Sequence, residues 1–374
     1  MIPFSRPVST GKESRAAKKA LSRQGYAGQG PHTLQAELRL SKIYDGTPVI
    51  LTNSGSTALL VALLGFQLGP RDKIIVPSFG FVAVAQAVTL AGATPVFVDV
   101  DIRTGSMSPE SLVGCVVSGV RGIIVIHYGG FAADMDRIQD IASSRGWFVV
   151  EDAAHGFAGR HARGRLGTLG DVGVLSFDHQ KNVQCGEGGA IIVNSTSHLE
   201  PLKSIATLGT TVPQLRENTA TQYDWVSSGV KGYPPDYVAA ILMAQLDETT
   251  QIQRYREMQV KAYFGRLQPW AQKNSVLVPM IEPFATRPSW HIFWLTFIDS
   301  DSADSFISWM KRAGVDCRKH YSSLALLTKG RVYEAAPTNA SDQLAACLVR
   351  LPLGLHLSER DLDLVIDSAL DWPG

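Results

Sequence analysis

Long apolar runs are missing from this 374-residue sequence. None reaches 18 residues, which excludes an ordinary membrane-crossing helix. An excess of charge is missing too: 35 basic against 34 acidic side chains leave a net +1. That balance argues against a nucleic-acid backbone or an anionic membrane as the main partner. Cysteine is scarce, with Cys115, Cys185, Cys317 and Cys347 far apart and no C-x-x-C pair. Neither a disulfide framework nor a structural zinc site is expected, only buried free thiols. There is no H-E-x-x-H, so no metal site is expected. The opening MIPFSRPVSTGKES lacks a basic-then-apolar leader, and a cytoplasmic protein is expected. No internal repeat or low-complexity tract occurs. What is present is a 45% apolar, 18% charged composition that can bury a sizeable core. At roughly 150 residues per domain, the length suggests two domains.

From residue 48 onward short β-branched runs alternate with helical stretches. The runs are Pro48–Thr52, Lys73–Pro77, Thr94–Val98, Gly122–Ile126, Trp147–Glu151, Gly173–Phe177 and Ala190–Asn194. Nearly continuous apolar segments such as GIIVI suit strands covered on both faces. Thr57–Leu68, Phe81–Leu90, Pro109–Val117 and Met135–Arg145 read as helices. The alternation predicts an α/β fold with a mostly parallel seven-stranded sheet. Tyr237–Val260 reads as one long helix, after which strands are few. Trp290–Ile298 is the clearest strand, and Asp304–Ala313 reads as a helix. The expected division is a large domain over 1–249 and a smaller C-terminal α+β domain over 250–374.

Ligands of open α/β sheets gather at the carboxyl ends of the strands. Four segments there carry polar or aromatic residues. Asn53-Ser54-Gly55-Ser56-Thr57 opens a helix, and its free N–H groups and hydroxyls make either a phosphate cradle or a plain N-cap. Glu151-Asp152-Ala153-Ala154-His155 ends a buried strand. Its adjacent carboxylates face opposite ways, so one of them can face a given site. Alone the pair also fits a helix N-terminal charge or a metal ligand. Lys181, in SFDHQKN ahead of GEGG, is either a solvated loop lysine or a desolvated amine able to attack a carbonyl. In Pro77-Ser78-Phe79-Gly80-Phe81 an aromatic either stacks on a flat ligand or caps the core. Together a phosphate cradle, an acid, an aromatic face and a lysine are the parts that hold pyridoxal 5′-phosphate. The 29 residues from Asp152 to Lys181 span two consecutive strands, so both side chains can reach one crevice.

The ordered motifs NSGST, PSFGF, FVDVD, HYGG, EDAAH, SFDHQKN and GEGG resemble the DegT/DnrJ/EryC1/StrS family of aminotransferases, across nearly the whole chain. The resemblance implies the type I aminotransferase fold, pyridoxal phosphate (the pyridoxamine form during turnover) and an obligate homodimer with shared active sites. It implies Lys181 as the lysine bonded to the cofactor aldehyde and Asp152 as the partner of the ring nitrogen. Phe81 matches the stacking aromatic, and Gly55, Ser56, Thr57 and Ser176 match the phosphate positions. His155 would lie against the ring. Lys231, in Gly229-Val230-Lys231, matches a residue that the family's dimer partner supplies. His320 and Tyr321 match the start of an H-Y-x-P-L segment on the substrate side, with Ser323 in place of its proline. Asp178 stands where the family usually has histidine.

The implied reaction moves an amino group from glutamate to a nucleotide-linked keto sugar, first choice C4 of a dTDP-4-keto-6-deoxyhexose, for polysaccharide or antibiotic biosynthesis. A 3-keto sugar or aminocyclitol precursor is the alternative. A pyridoxamine-dependent dehydratase is disfavoured by Lys181, and a non-enzymatic regulator by the intact set of parts. His127 reads as a structural histidine, and the Arg160–Arg165 cluster as a solvated loop or a nucleotide contact.

Overall fold

The computed structural model describes residues 1–7, 9–23, 25–328 and 333–374. Its strands fall where the β-branched runs predict them: Val49–Thr52 (β1), Lys73–Pro77 (β2), Thr94–Val98 (β3), Val120–Ile126 (β4) and Phe148–Asp152 (β5). A short separate hairpin, Arg160–His161 (β6) with Gly164–Arg165 (β7), precedes Val172–Ser176 (β8) and Gly189–Val193 (β9). Seven of these strands form one sheet in the order β1-β9-β8-β5-β4-β2-β3. Strand β9 is antiparallel to both neighbours, and every other pairing is parallel. The GIIVI and VVED runs are buried because helices cover both faces.

The helix Gly55–Leu64 positions the first site segment. Ala58, Leu59, Val61, Ala62 and Leu63 are all buried, so the helix is apolar nearly all round and lies between the sheet and neighbouring helices. Its polar start is capped by Ser54, whose hydroxyl accepts the Thr57 N–H at 3.1 Å. The helix ends at Leu64, four residues before the expected Leu68.

The single helix expected over Tyr237–Val260 is two helices, Asp236–Leu246 and Thr249–Lys273. The reason is local and tertiary together. The run Asp247–Thr250 offers no apolar residue, and the Thr249 hydroxyl donates to the Leu246 carbonyl at 2.8 Å, competing for a helical acceptor. The two halves also answer to different partners. The first packs against the helices Lys12–Ser22 and Pro31–Ile43, the second against Glu359–Leu370. The second helix runs past the expected end at Val260 and continues through Pro269.

C-terminal to it, Phe293–Thr296 (β10) pairs antiparallel with Leu348–Leu351 (β11), and the helices Ser300–Arg312 and Asn339–Cys347 pack on β11. All four cysteines are buried and free. Among the described residues no helix is long and apolar enough to cross a membrane.

Candidate active site

Strands β5 and β8 are parallel neighbours with Asp152 opposite Val174, so Asp152 and the loop after Ser176 emerge at the same sheet edge. There a cavity of about 540 Å³ is lined by Gly55, Ser56, Phe81, Asp152, His155, Ser176, Lys181, His320 and Tyr321, nine positions singled out in the sequence. Its volume lies in the range of small-molecule sites. Thr57 and Lys231 do not line it. The Thr57 hydroxyl turns to Ser54 Oγ at 3.0 Å, and Lys231 lies on an exposed segment whose carbonyl accepts from Asn53 Nδ2 at 3.2 Å. The Arg160–Arg165 cluster is also elsewhere. Arg165 pairs with Asp45 at 3.1 Å and Arg163 with Asp136 at 2.9 Å.

Two glycines let this edge close up. A Cβ on Gly55 would stand 2.9 Å from Ser176 Cβ and 3.2 Å from Ser176 Oγ, and one on Gly189 would stand 2.4 Å from the Ser54 carbonyl. Both contacts are too short for any side chain. The helix N-terminus of Gly55 and Ser56 therefore meets the Ser176 hydroxyl with backbone N–H groups bare, the donor set a phosphate dianion needs. With an amine, a buried carboxyl and the exposed ring of Phe81 around the same space, the residues fit pyridoxal phosphate.

The adjacent carboxylates divide their work by strand alternation. Asp152 faces the cavity. Burial pushes its carboxyl up, while the Ala154 N–H at 2.9 Å and the Lys181 charge pull it down. Glu151 faces the other way, fully buried, and accepts from the Gly167, Leu169 and Gly170 N–H groups and from His127. His127 Nδ1 accepts the Ala133 N–H at 3.2 Å, so its proton sits on Nε2 and points to Glu151 Oε2 at 2.8 Å. This is the structural histidine the sequence suggested.

His155 is held neutral, its pKa well below the ordinary value, first by burial and then by the charges of Lys181 and Arg350. Its Nδ1 accepts the Gly129 N–H at 3.3 Å, and Nε2 lies 3.4 Å from the Tyr321 hydroxyl. The Tyr321 ring is 5.7 Å from that of Phe81, so two aromatics border the space above Asp152. Burial, with Arg350 and Arg318 nearby, lowers His320 to about 4.

The two departures from the family pattern both have structural roles. Asp178 Oδ1 accepts the Gln180 N–H at 2.9 Å and its carbonyl accepts the Lys181 N–H at 2.8 Å, fixing the turn that carries the lysine. Ser323, fully buried, bonds Ser78 through the two hydroxyls at 3.0 Å, while the Leu324 N–H donates to the Ser78 carbonyl at 2.6 Å. This joint ties the His320–Tyr321 segment to the end of β2 that carries Phe81. Ser323→Ala removes one buried hydrogen bond and is expected to lower stability by about 1 kcal/mol, read as a shifted urea midpoint with unchanged slope.

Sequence reasoning missed Arg350, Tyr128 and His291, which flank His155. A lone arginine inside the apolar run CLVRLPL was the available signal for the first.

An open, mainly parallel sheet with a lysine and a carboxylate at neighbouring strand ends is the type I pyridoxal phosphate aminotransferase fold. Residues 8–369 match the DegT/DnrJ/EryC1/StrS aminotransferase family, and the chain belongs to it. Its cofactor is pyridoxal phosphate and its activity that of a transaminase. Among solved structures, a DegT DnrJ EryC1 StrS aminotransferase from Brucella abortus is 28% identical, covering 96% of this chain and 94% of its own with a TM-score of 0.86. DesV from S. venezuelae is 27% identical over 97% and 94%, TM-score 0.86. The aminotransferase TlmJ from Streptoalloteichus hindustanus is 25% identical over 99% and 98%, TM-score 0.90.

Proposed function

We propose that this transaminase moves the amino group of glutamate to a nucleotide-linked keto sugar, at C4 of a dTDP-4-keto-6-deoxyhexose. The observation that carries the reading is the convergence of Lys181, Asp152 and the Gly55–Ser56–Ser176 cradle on one cavity. When bound, pyridoxal phosphate supplies an aldehyde for amine exchange and a protonated ring that withdraws electrons from the substrate carbon. The chain's own residues do the rest. Gly55, Ser56 and Ser176 bind phosphate, Asp152 holds a proton at the ring nitrogen, and Phe81 with His155 orients the flat ring. The Lys181 amine would hold the cofactor through its aldehyde and, when free, would carry a proton on and off the reacting carbon as base and acid.

His320 and Tyr321 are assigned to the substrate side. The assembly proposed is a homodimer in which Lys231 serves the partner's cavity. It is supported by the absence of Lys231 from the lining of its own cavity and by the exposure of Trp225 and Tyr223 in the same segment. The break at Asp247–Glu248 supports a division into 1–249 and 250–374.

The test is incubation of the holoenzyme with glutamate and a dTDP-4-keto-6-deoxyhexose, with products resolved by mass spectrometry. The expected outcome is an amino sugar nucleotide together with 2-oxoglutarate. Formation of an amine from a 3-keto sugar or a cyclitol ketone, with none from the 4-keto sugar, would replace the acceptor assignment.

A further inference from the structure

Lys181 can serve only if its amine reaches both the cofactor aldehyde and the carbon whose proton it moves, so whatever fixes its backbone sets its reach. On the N-terminal side that is the Asp178 turn. On the C-terminal side the first anchor is the next residue, Asn182, which is buried. Its side chain leaves the loop and reaches the segment ahead of β10. There Nδ2 donates to the Ser289 carbonyl at 2.7 Å, and Oδ1 lies 2.9 Å from His291 Nδ1. A carbonyl can only accept, so the amide's orientation is fixed and Oδ1 faces His291 as an acceptor. Burial, then neighbouring positive charge, holds His291 in the neutral form. Its single ring proton therefore sits on Nδ1 and is donated to Asn182.

The segment that makes this clasp is tied in turn to the turn after β4 and to His155. The Ser289 N–H donates to the Gly130 carbonyl at 2.9 Å, its hydroxyl donates to the His155 carbonyl, and the His291 N–H donates to the Gly129 carbonyl at 3.2 Å. A Cβ on Gly130 would stand 1.8 Å from Ser289 Oγ, so the approach is possible only with glycine there. The His291 ring also lies against that of His155, with centroids 4.3 Å apart and planes tilted by 32°. His291 does not line the large cavity, so any influence it has on the reaction is indirect. We infer that His291 is a positioning residue for Lys181, acting through the bond from its Nδ1 to Asn182 rather than through its ring against His155. Without that donor Asn182 Oδ1 is buried and unpaired. The amide cannot turn over to cure this, because the Ser289 carbonyl would then face an oxygen. Asn182 must shift to find a partner, and the lysine shifts with it. This inference rests on the role given to Lys181 above.

Two substitutions separate the bond from the ring. His291→Phe keeps a ring against His155 and loses the donor, whereas His291→Asn keeps an N–H near the Nδ1 position and loses the ring. In His291→Phe the rate at which saturating glutamate bleaches the visible cofactor band is expected to fall about 30-fold, while the half-saturating glutamate concentration stays within about threefold. His291→Asn is expected to stay within about threefold of wild type in both. Hydrogen exchange of the cofactor-free proteins gives a readout independent of turnover. Amides over 178–184 should exchange about 10-fold faster in His291→Phe and at the wild-type rate in His291→Asn. Asn182→Ala should reproduce the phenylalanine effect, and His291→Phe added to it should cost no more than about twofold further, as for one shared bond. The reverse order, with the phenylalanine variant like wild type and the asparagine variant impaired, assigns His291 to packing and overturns the inference; so do losses that add fully in the double variant. Should His291→Phe not fold, Asn182→Ala reads the same bond, and unchanged bleaching and exchange there overturn the inference. A Lys181→Ala protein that keeps its cofactor band would remove the lysine's role instead, and the exchange comparison then judges the clasp separately.

Discussion

Lys181→Ala is expected to abolish the visible absorbance band of the enzyme-bound cofactor and to lower amine transfer by about 10⁴-fold or more, because one side chain serves as both the bonded amine and the proton carrier. Absorbance spectra with and without excess glutamate, taken beside a single-turnover assay, read both effects. Lys181→Arg separates charge from chemistry. It keeps a cation beside Asp152 but offers no amine that can lose its proton, so it should be as inactive as the alanine variant. Loss of the cation has a further, signed consequence. Burial already raises the Asp152 carboxyl, and the Lys181 charge opposes that rise. In cofactor-free Lys181→Ala, Asp152 should therefore titrate at higher pH than in wild type, whereas in Lys181→Arg it should not, a difference visible in the carboxyl infrared band. A Lys181→Ala protein that retains the band and half its transfer rate would remove the lysine from the mechanism altogether.

Glu151→Ala is expected to cost about 3–5 kcal/mol of stability, the largest loss of any single change in the sheet edge that carries the site. The carboxylate is fully buried and accepts from three backbone N–H groups, of Gly167, Leu169 and Gly170, and from His127. Without it four donors are left in a dry interior. Glu151→Gln recovers only part of the loss. The amide group presents donors where acceptors are needed, and His127 cannot change tautomer to oblige, because its Nδ1 is already committed to the Ala133 N–H. Urea titration of the cofactor-free protein is the suitable measurement, since bound cofactor would add stabilisation by mass action and mask the difference. A midpoint unchanged from wild type would show that the loop over 167–170 is held by something other than this carboxylate.

The neighbouring residues Glu151 and Asp152 show how local and tertiary information divide. Alternation along a strand already says that only one of two consecutive carboxylates can face a given crevice. Which one does so depends on where the 167–170 loop lies, and that is a matter of packing between β5 and β8. Thr57 shows the same division from the other side. Its place in the NSGST motif suggests a phosphate contact, yet its hydroxyl is used by the Ser54 cap, a choice made by helix geometry rather than by composition.

The sequence by itself determined the seven strands to within about two residues, the mostly parallel sheet they form and the segments that end at its ligand-binding edge. These are short-range properties: β-branched runs buried on both faces and small polar residues at helix starts read the same in any surroundings. Only the tertiary structure decided that Asp247–Glu248 breaks a continuous helical pattern, because the two halves pack on elements more than a hundred residues apart in the chain. It alone decided that Arg350, Tyr128, His291 and Tyr321 surround His155, since β11, the turn after β4, the segment ahead of β10 and the 320–325 segment meet there by chain folding and by no periodicity within any of them. The neighbours of buried Arg350 likewise come from distant parts of the chain, Tyr128 just after β4 and Tyr321 ahead of β11, and no local pattern brings them together.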